Sequence, residues 1–225
     1  MQNPSPDTAP PERSPVTDAL RVQILATEHW SLLAGRSLIW NETFSRASMF
    51  LTTLSAAVVA LALVAQATDF GDDFSTFALL VLPLVLVLGV WTSVRLGVAQ
   101  NEDVWLVAGT NRLRHAYLDL APDLEHYFVT SRYDDAAGVM QSYNPTNPSP
   151  VTRILTSTPG LLGAVNAALV GVIVALIVEF FGQPPAVHGP AGGIAALATG
   201  VLLVGVLPHR QMTRFDRNME SRFPR

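Results

Sequence analysis

The sequence predicts an all-α membrane protein with four transmembrane helices, arranged as two hairpins, and a cytoplasmic helical layer. An apolar helix of about 20 residues spans the hydrocarbon core of a bilayer, and four such stretches lie at 47–66, 76–95, 160–181 and 190–208. All 14 basic residues are arginines, and none falls in 67–75 or 182–190, the segments inside each pair of stretches. Because positive residues close to membrane spans stay in the cytoplasm, both termini and the middle region are predicted to be cytoplasmic.

Composition favours the membrane assignment and excludes several kinds of site. A soluble all-helical protein is the alternative, but 76–91 and 160–178 contain no charged residue, and long charge-free apolar runs favour membrane spans. The chain has no cysteine, which excludes disulfides, thiolate metal sites and cysteine nucleophiles. A net charge of −4 with dispersed arginines predicts no nucleic-acid partner. The predicted location is the bacterial cytoplasmic (inner) membrane.

The first third of the chain predicts a tail, a helix and the first pair of spans. Residues 1–15 are polar and rich in proline, which predicts a disordered tail. A cytoplasmic or interfacial helix is predicted over 16–46, with Thr17 or Asp18 as its N-cap. It leads directly into the first transmembrane hairpin, at 47–95.

The middle region, 96–159, is predicted to contain cytoplasmic helices and a proline-rich loop. Five large side chains, at seven-, four-, three- and four-residue steps, form a coiled-coil-like seam that continues the second span: Leu106, Leu113, Tyr117, Leu120 and Leu124. We expect 97–121 to pack beside 17–45, and Pro122 to begin a new helical segment. Asp134 and Asp135 are expected to cap a short helix, and 142–160 to form the loop.

The second transmembrane hairpin is predicted at 160–208 and carries two stripes of small residues. Both have a small residue at every fourth position, namely Gly163, Ala167, Gly171 and Ala175 in the third span, and Gly192, Ala196 and Gly200 in the fourth. Small residues let helix backbones approach closely. One interpretation is that the two stripes pack against each other, and the other is that one stripe contacts another subunit.

The last segment, 209–225, is predicted to be a basic amphipathic tail. Met212, Phe215, Met219 and Phe223 recur at helical spacing, with arginines between them. Such a helix is suited to contact anionic lipid of the inner leaflet. It is equally suited to pack on the other cytoplasmic helices, and the sequence leaves both interpretations open.

Three polar residues inside the predicted spans are candidates for a polar pathway: Asn166, Glu179 and Thr52. Asn166 needs hydrogen-bond partners if it is buried, and Thr52, Thr53 and Ser55 of the first span are candidates unless they bond to their own helix backbone. Glu179 is an intramembrane carboxylate, which can mark an ion path. It lies one turn from the outer end, however, and headgroup contact is the alternative.

No residue pattern predicts an enzyme, a metal site or a cofactor. The five histidines include no pair at i, i+4 spacing and no HExxH motif, and the chain has no GxSxG or phosphate-binding glycine motif. We therefore predict no catalytic residues, no metal ligands and no cofactor. A catalytic pair formed by Asp134 and Asp135 has no further support in the sequence.

Three segments carry a resemblance to known proteins. They are 27–66, which begins TEHWSLLAGRSLIW, the middle segment LRHAYLDLAPDLEHYFVTSRYDD, and the span that begins TPGLLGAVNAALVG. The chain after residue 20 resembles uncharacterised multipass membrane proteins of high-GC Gram-positive bacteria, which have no assigned activity. Its layout also resembles, in architecture only, small helical membrane effectors proposed to form pores in bacterial conflict systems.

The function expected from these patterns is that of a non-enzymatic integral membrane scaffold or interaction protein that self-associates. Packing faces and cytoplasmic helices are visible in the sequence, whereas converging ionisable groups are not. The alternative is an oligomeric ion channel or pore-forming protein, in which several subunits together would build the pathway. A small transporter and a membrane enzyme rank behind these two. The expected partners are the lipid bilayer and further copies of the chain.

Overall fold

The computed structural model describes residues 17–143, 149, 152, 156–206 and 220–225, with Pro185 described by its backbone alone. Within these residues every regular element is helical, and four helices are long and apolar enough to cross a membrane. The predicted all-helical class and the predicted number of membrane-length helices are therefore confirmed. The predicted disordered tail at 1–15 and residues 209–219 of the predicted amphipathic tail lie outside the described residues.

The first helix, α1, is a continuous helix over Asp18–Thr68. The hydroxyl of Thr17 accepts a hydrogen bond from the Leu20 N–H at 3.4 Å, so Thr17 is the N-cap, one of the two candidates. The helix runs without interruption from the predicted cytoplasmic segment into the first apolar stretch. It ends where Asp69 and Phe70 take left-handed backbone conformations, with φ of 49° and 57°, and the chain reverses direction there.

The second helix, α2, spans Asp72–Leu120 and passes through the second apolar stretch. Pro83 lies inside it, where the missing N–H removes one backbone hydrogen bond. Pro122 then begins a 3₁₀ helix, Pro122–Tyr127, where the sequence predicted a new helical segment. A short helix, α3, follows at Ala136–Tyr143. Its cap is Asp135, whose Oδ1 accepts from the Gly138 N–H at 2.7 Å.

Two further helices contain the third and fourth apolar stretches. Helix α4 spans Thr158–Phe180, and the Ser157 hydroxyl accepts from its Gly160 N–H. Helix α5 spans Pro185–Gly200 and continues as a π-helix over Val201–Val206. The fourth span is predicted to begin at residue 190, but helix α5 begins five residues earlier, at Pro185. Proline fits the first turn of a helix, where an N–H has no intrahelical acceptor.

The helices contact each other in chain order, α1 with α2, α2 with α4 and α4 with α5. Large apolar side chains from α1, α2 and α4 meet in one cluster, which includes Phe50, Leu82, Leu162 and Leu169. The arginine-bearing halves of α1 and α2 also touch, since a β-carbon on Gly109 would lie 3.2 Å from the Leu32 side chain. A second, smaller cluster there joins α2 to α3.

The apolar stretches are poorly covered by the rest of the chain. Only 17%, 28%, 39% and 6% of the most apolar window in the four successive spans is buried. Exposed apolar surface on this scale marks a membrane or protein contact. The exposed belt therefore favours lipid-facing helices over a soluble bundle.

Candidate functional site

The centres of the two small-residue stripes lie against each other across α4 and α5. A β-carbon on Gly171 would lie 2.8 Å from the Gly192 carbonyl oxygen, and one on Gly192 would lie 2.5 Å from the Gly171 carbonyl oxygen. Each glycine therefore points a Cα–H bond at the carbonyl of the other, a weak hydrogen bond that recurs at close helix crossings. Ala196 and Ala175 flank this crossing.

The outer members of the stripes also make contacts within the chain. A β-carbon on Gly200 would meet the Cβ of Ala167 at 3.6 Å, and one on Gly163 would meet the Val204 side chain at 2.6 Å. All the small residues predicted to pack are thus placed at the crossing of α4 with α5 and the π-helix that follows it. Both stripes are occupied by contacts inside one chain.

Asn166 is completely buried between α4 and α2. Its Nδ2 donates to the Ser93 hydroxyl at 2.8 Å. Its Oδ1 has no conventional hydrogen-bond donor and occupies the space that a β-carbon on Gly89 would fill. A Cα–H of Gly89 therefore points at this oxygen, so glycine is required at position 89 for Asn166 to fit.

The hydroxyls suggested as partners of Asn166 lie elsewhere. Thr53 and Ser55 donate to carbonyl oxygens of α1 four residues earlier, both at 2.9 Å, and Thr52 is exposed. For Thr53 and Ser55 this is the second of the two arrangements expected, a hydrogen bond to their own helix backbone.

Glu179 lies at the end of α4, 13 residues after Asn166 on the same helix, and it is exposed. The neighbouring Phe180 and Phe181 are 65% and 74% exposed. The structure does not bring Asn166, Glu179 and Thr52 together within one chain.

An ion pair outside the apolar stretches joins α1, α2 and α3. The guanidinium of Arg36 binds both carboxylate oxygens of Asp103, at 2.6 and 3.2 Å. Asp103 is only 1% exposed, and the Tyr143 hydroxyl donates to it at 2.5 Å. Burial, the hydrogen bond to Asp103 and its charge all raise the pKa of Tyr143, so the phenol remains protonated as a donor. A buried carboxylate is tolerated when it is paired in this way.

A second buried carboxylate, Asp134, binds the end of the chain. It is 0% exposed and accepts four hydrogen bonds, from the Arg112 guanidinium at 2.6 Å, the Ser221 hydroxyl at 2.6 Å, and the N–H groups of Arg222 and Phe223 at 2.9 and 2.8 Å. Burial favours the protonated acid, but these four donors together outweigh it and hold the pKa of Asp134 well below its usual range. The carboxylate is therefore ionised throughout the physiological range.

The segment 220–225 packs on α2 and α3 through further contacts. The Phe223 ring stacks on His115, with centroids 4.1 Å apart and planes inclined by 23°. Arg112 also donates to the Glu220 carbonyl at 3.1 Å, and Arg225 lies over the Tyr133 ring. For these residues the structure favours packing on other helices over contact with lipid, one of the two interpretations left open by the sequence.

The predicted helical pattern is wrong for 220–225, which form no helix. Asp134 takes up the N–H groups of Arg222 and Phe223, which then have no role in a helical ladder, and Pro224 has no N–H to donate. The helical prediction for 209–219, and its contact with anionic lipid, concern residues that the structure does not describe.

Asn111 lies on α2 between the buried carboxylate Asp103 and the residue that pairs with Asp134, Arg112, and it connects α2 to the loop before α3 and to α3 itself. It is 0% exposed, and its Nδ2 donates to the Tyr133 carbonyl at 2.7 Å. Its Oδ1 accepts from the Arg114 guanidinium at 2.7 Å and from the Ser142 hydroxyl at 2.9 Å. One amide thus fixes the loop before α3 and the end of α3 to the same turn of α2.

Sequence reasoning missed Asp103 and Asn111 as buried residues. A signal was present, because Asp103, Val107 and Asn111 recur every four residues and form one face of α2, beside the predicted seam. Polar side chains on a face that also carries Val107 indicate burial with partners. The sequence suggests Asp134 as a helix cap, or as part of a catalytic pair with Asp135, and the structure gives the cap to Asp135.

The described residues offer little that would hold a small ligand. A cleft of about 180 Å³ is lined by polar side chains including Ser131, Arg132 and Gln141, smaller than the roughly 300–1,000 Å³ usual for small-molecule sites. Over 17–143, 149, 152, 156–206 and 220–225, no group of three His, Asp or Glu side chains is placed to bind a metal ion. Comparison with known proteins adds no relative, since no protein-family model, curated protein or solved structure matches the chain.

Proposed function

We propose that this chain is a four-span anchor of the bacterial inner membrane that presents a helical interaction module in the cytoplasm, without enzymatic activity. The observation that carries the proposal is the saturation of Asp134. A carboxylate has about four acceptor positions, and four donors of the chain fill them. With 220–225 in place, no acceptor position of Asp134 is left open for a catalytic role or a bound ion.

The proposed arrangement has two membrane hairpins, α1 with α2 and α4 with α5. A cytoplasmic layer is formed by α3 together with the parts of α1 and α2 that lie beyond the apolar stretches, 18–46 and 96–120. A charged cluster supports the boundary between layer and membrane. Arg95 lies 2.8 Å from Glu42 and 3.4 Å from Glu102, at the level where both apolar stretches end. Self-association is supported by Trp30 and Leu38, which are 73% and 71% exposed outside the apolar stretch of α1.

Cysteine labelling tests the proposed orientation, because the chain has no cysteine of its own. Asp72 lies in a predicted outer loop and Val129 in the predicted cytoplasmic layer, and both are exposed, Val129 to 87%. We expect an impermeant thiol reagent to label Asp72→Cys in intact cells and Val129→Cys only after permeabilisation. Labelling of Val129→Cys alone in intact cells would reverse the orientation.

An ion-flux measurement separates the anchor from the alternative, an oligomeric pore. Asn166 faces Ser93 and Gly89 inside the chain, so it is not presented to a channel between subunits. We expect liposomes with wild-type protein, Asn166→Leu or Glu179→Gln to conduct ions no faster than empty liposomes. A pore-forming peptide provides the positive control, and flotation with the liposomes verifies insertion. Protein-dependent flux that either substitution alters would replace the anchor by the pore.

A further inference from the structure

We infer that Arg112, His115, Tyr133 and Asp134 form a peptide-binding site for an extended Ser-X-Phe segment, and that 220–225 is the ligand that occupies it within the chain. The inference rests on the proposed function and deepens it, because it identifies the surface through which the interaction module would bind a partner. The class of ligand is a peptide, recognised by its backbone and by two side chains.

Asp134 recognises the backbone of the segment at three points. Its carboxylate accepts the N–H groups of Arg222 and Phe223, and its own N–H donates to the Phe223 carbonyl at 3.3 Å. Arg112 adds a bond to the Glu220 carbonyl. Main-chain hydrogen bonds of this kind provide affinity for an extended peptide independently of its sequence.

Two side chains of the segment provide specificity, and one position is free. The Ser221 hydroxyl donates to Asp134 at 2.6 Å, and the Phe223 ring stacks on His115. The side chain between them, Arg222, is exposed. The recognised pattern is therefore a serine and a phenylalanine separated by one variable residue.

The segment is bound as a ligand is bound, and it is not part of the core. No residue of 220–225 belongs to either apolar cluster, and the segment forms no regular element. The acceptor that receives it is buried and ionised, so an empty site would leave the Asp134 carboxylate with Arg112 as its one remaining donor among those described. A free peptide of the same pattern would restore the missing hydrogen bonds and compete with the attached segment. Tethered ligands typically have effective concentrations in the millimolar range.

Cross-linking in the full-length chain tests the inference. Gln141 and Arg225 are hydrogen-bonded through the ends of their long side chains, so a short flexible bis-maleimide should join Gln141→Cys to Arg225→Cys when 220–225 is docked. We expect Asp134→Asn and, separately, Phe223→Ala to slow the initial cross-linking rate at least fivefold. Asp123→Asn is the matched control, since Asp123 is exposed, and should leave the rate unchanged. Phe223→Ala keeps the test valid if Asp134→Asn fails to fold.

Competition then separates a displaceable ligand from a fixed structural segment. The synthetic peptide Glu-Ser-Arg-Phe-Pro-Arg, at about 10 mM to exceed the effective concentration of the attached segment, should slow cross-linking at least threefold. The same peptide with alanine in place of phenylalanine should not. No effect of the first peptide, or equal effects of both, would overturn the inference. Both outcomes leave the anchor unaffected, because its orientation is tested by cysteine labelling and its lack of a pore by the flux measurement.

Discussion

Asp103→Asn should lower the free energy of unfolding by about 3 kcal/mol, because removal of one partner from a buried ion pair leaves the other charge without compensation. Asp103 is 1% exposed and binds Arg36 and Tyr143. Since α1, α2 and α3 meet at this carboxylate, the lower free energy of unfolding should appear in the cooperative unfolding of the parts of these helices that lie beyond the apolar stretches. Chemical unfolding in detergent, followed by circular dichroism, measures it.

Asp119→Asn is the matched control for this substitution. Asp119 lies on the same helix, but its side chain is 69% exposed and its contact with His115 is 3.8 Å. Exposed pairs of this kind contribute about 0–1 kcal/mol. A double-mutant cycle of Arg36→Gln with Asp103→Asn should show strong coupling. Equal losses for Asp103→Asn and Asp119→Asn would contradict the assigned role of the buried pair.

Gly171→Leu should separate α4 from α5 and lower stability by about 3 kcal/mol, the upper range for an overpacked core. The new side chain would begin 2.8 Å from both the Ala196 Cβ and the Gly192 carbonyl, and a backbone atom does not move aside as a side chain does. We expect the thermal midpoint in detergent to fall by about 6–12 °C.

Gly193→Leu is the control, because nothing lies within 4 Å of a β-carbon at that position. The same side chain is then added to α5 on its exposed face, beside the crossing. Its thermal midpoint should stay within about 2 °C of wild type, since surface substitutions usually change stability by less than about 0.5 kcal/mol. A Gly171→Leu midpoint as high as that of Gly193→Leu would show that the crossing is not tightly packed.

The four helices of membrane-spanning length could be predicted because their signal is local. Length, lack of charge and the positions of the arginines are each readable within one segment, and the cap at Thr17 and the helical start at Pro122 are equally local. The pairing of Arg36 with Asp103 is not local, because it depends on the axial register of α1 against α2. The sequence contains several arginines and acids on these helices, and only the register selects which pair meets.

The partner of Asn166 shows the same limit. The sequence placed a buried amide in the third span and suggested hydroxyls of the first, but α4 packs on α2, so Ser93 is the hydroxyl within reach. Gly89 completes the site by having no side chain. An amide in one span and a glycine in another become connected only when the packing order of the helices is known.

The helical prediction for 220–225 fails for a different reason. Met219 and Phe223 have helical spacing, and periodicity alone does not distinguish a helix from an extended segment whose ring happens to fall at that interval. Asp134 accepts two backbone N–H groups that a helix would otherwise use. Because Asp134 lies far from 220–225 in the sequence, no local pattern predicts this contact.

The unbroken course of α1 has a mechanical consequence. Asp18–Thr68 is one helix, and its part outside the apolar stretch, 18–46, is about 43 Å long at 1.5 Å per residue. Because the helix is not interrupted between 18–46 and the apolar stretch, a tilt of the apolar stretch by about 10° would displace the N-terminal end of α1 by about 7 Å. Because Arg36 and Asp103 join α2 to the same part of α1, the two helices would move together. A change in bilayer thickness or lateral pressure that tilted the apolar stretch would therefore displace the ends of both helices that lie outside it.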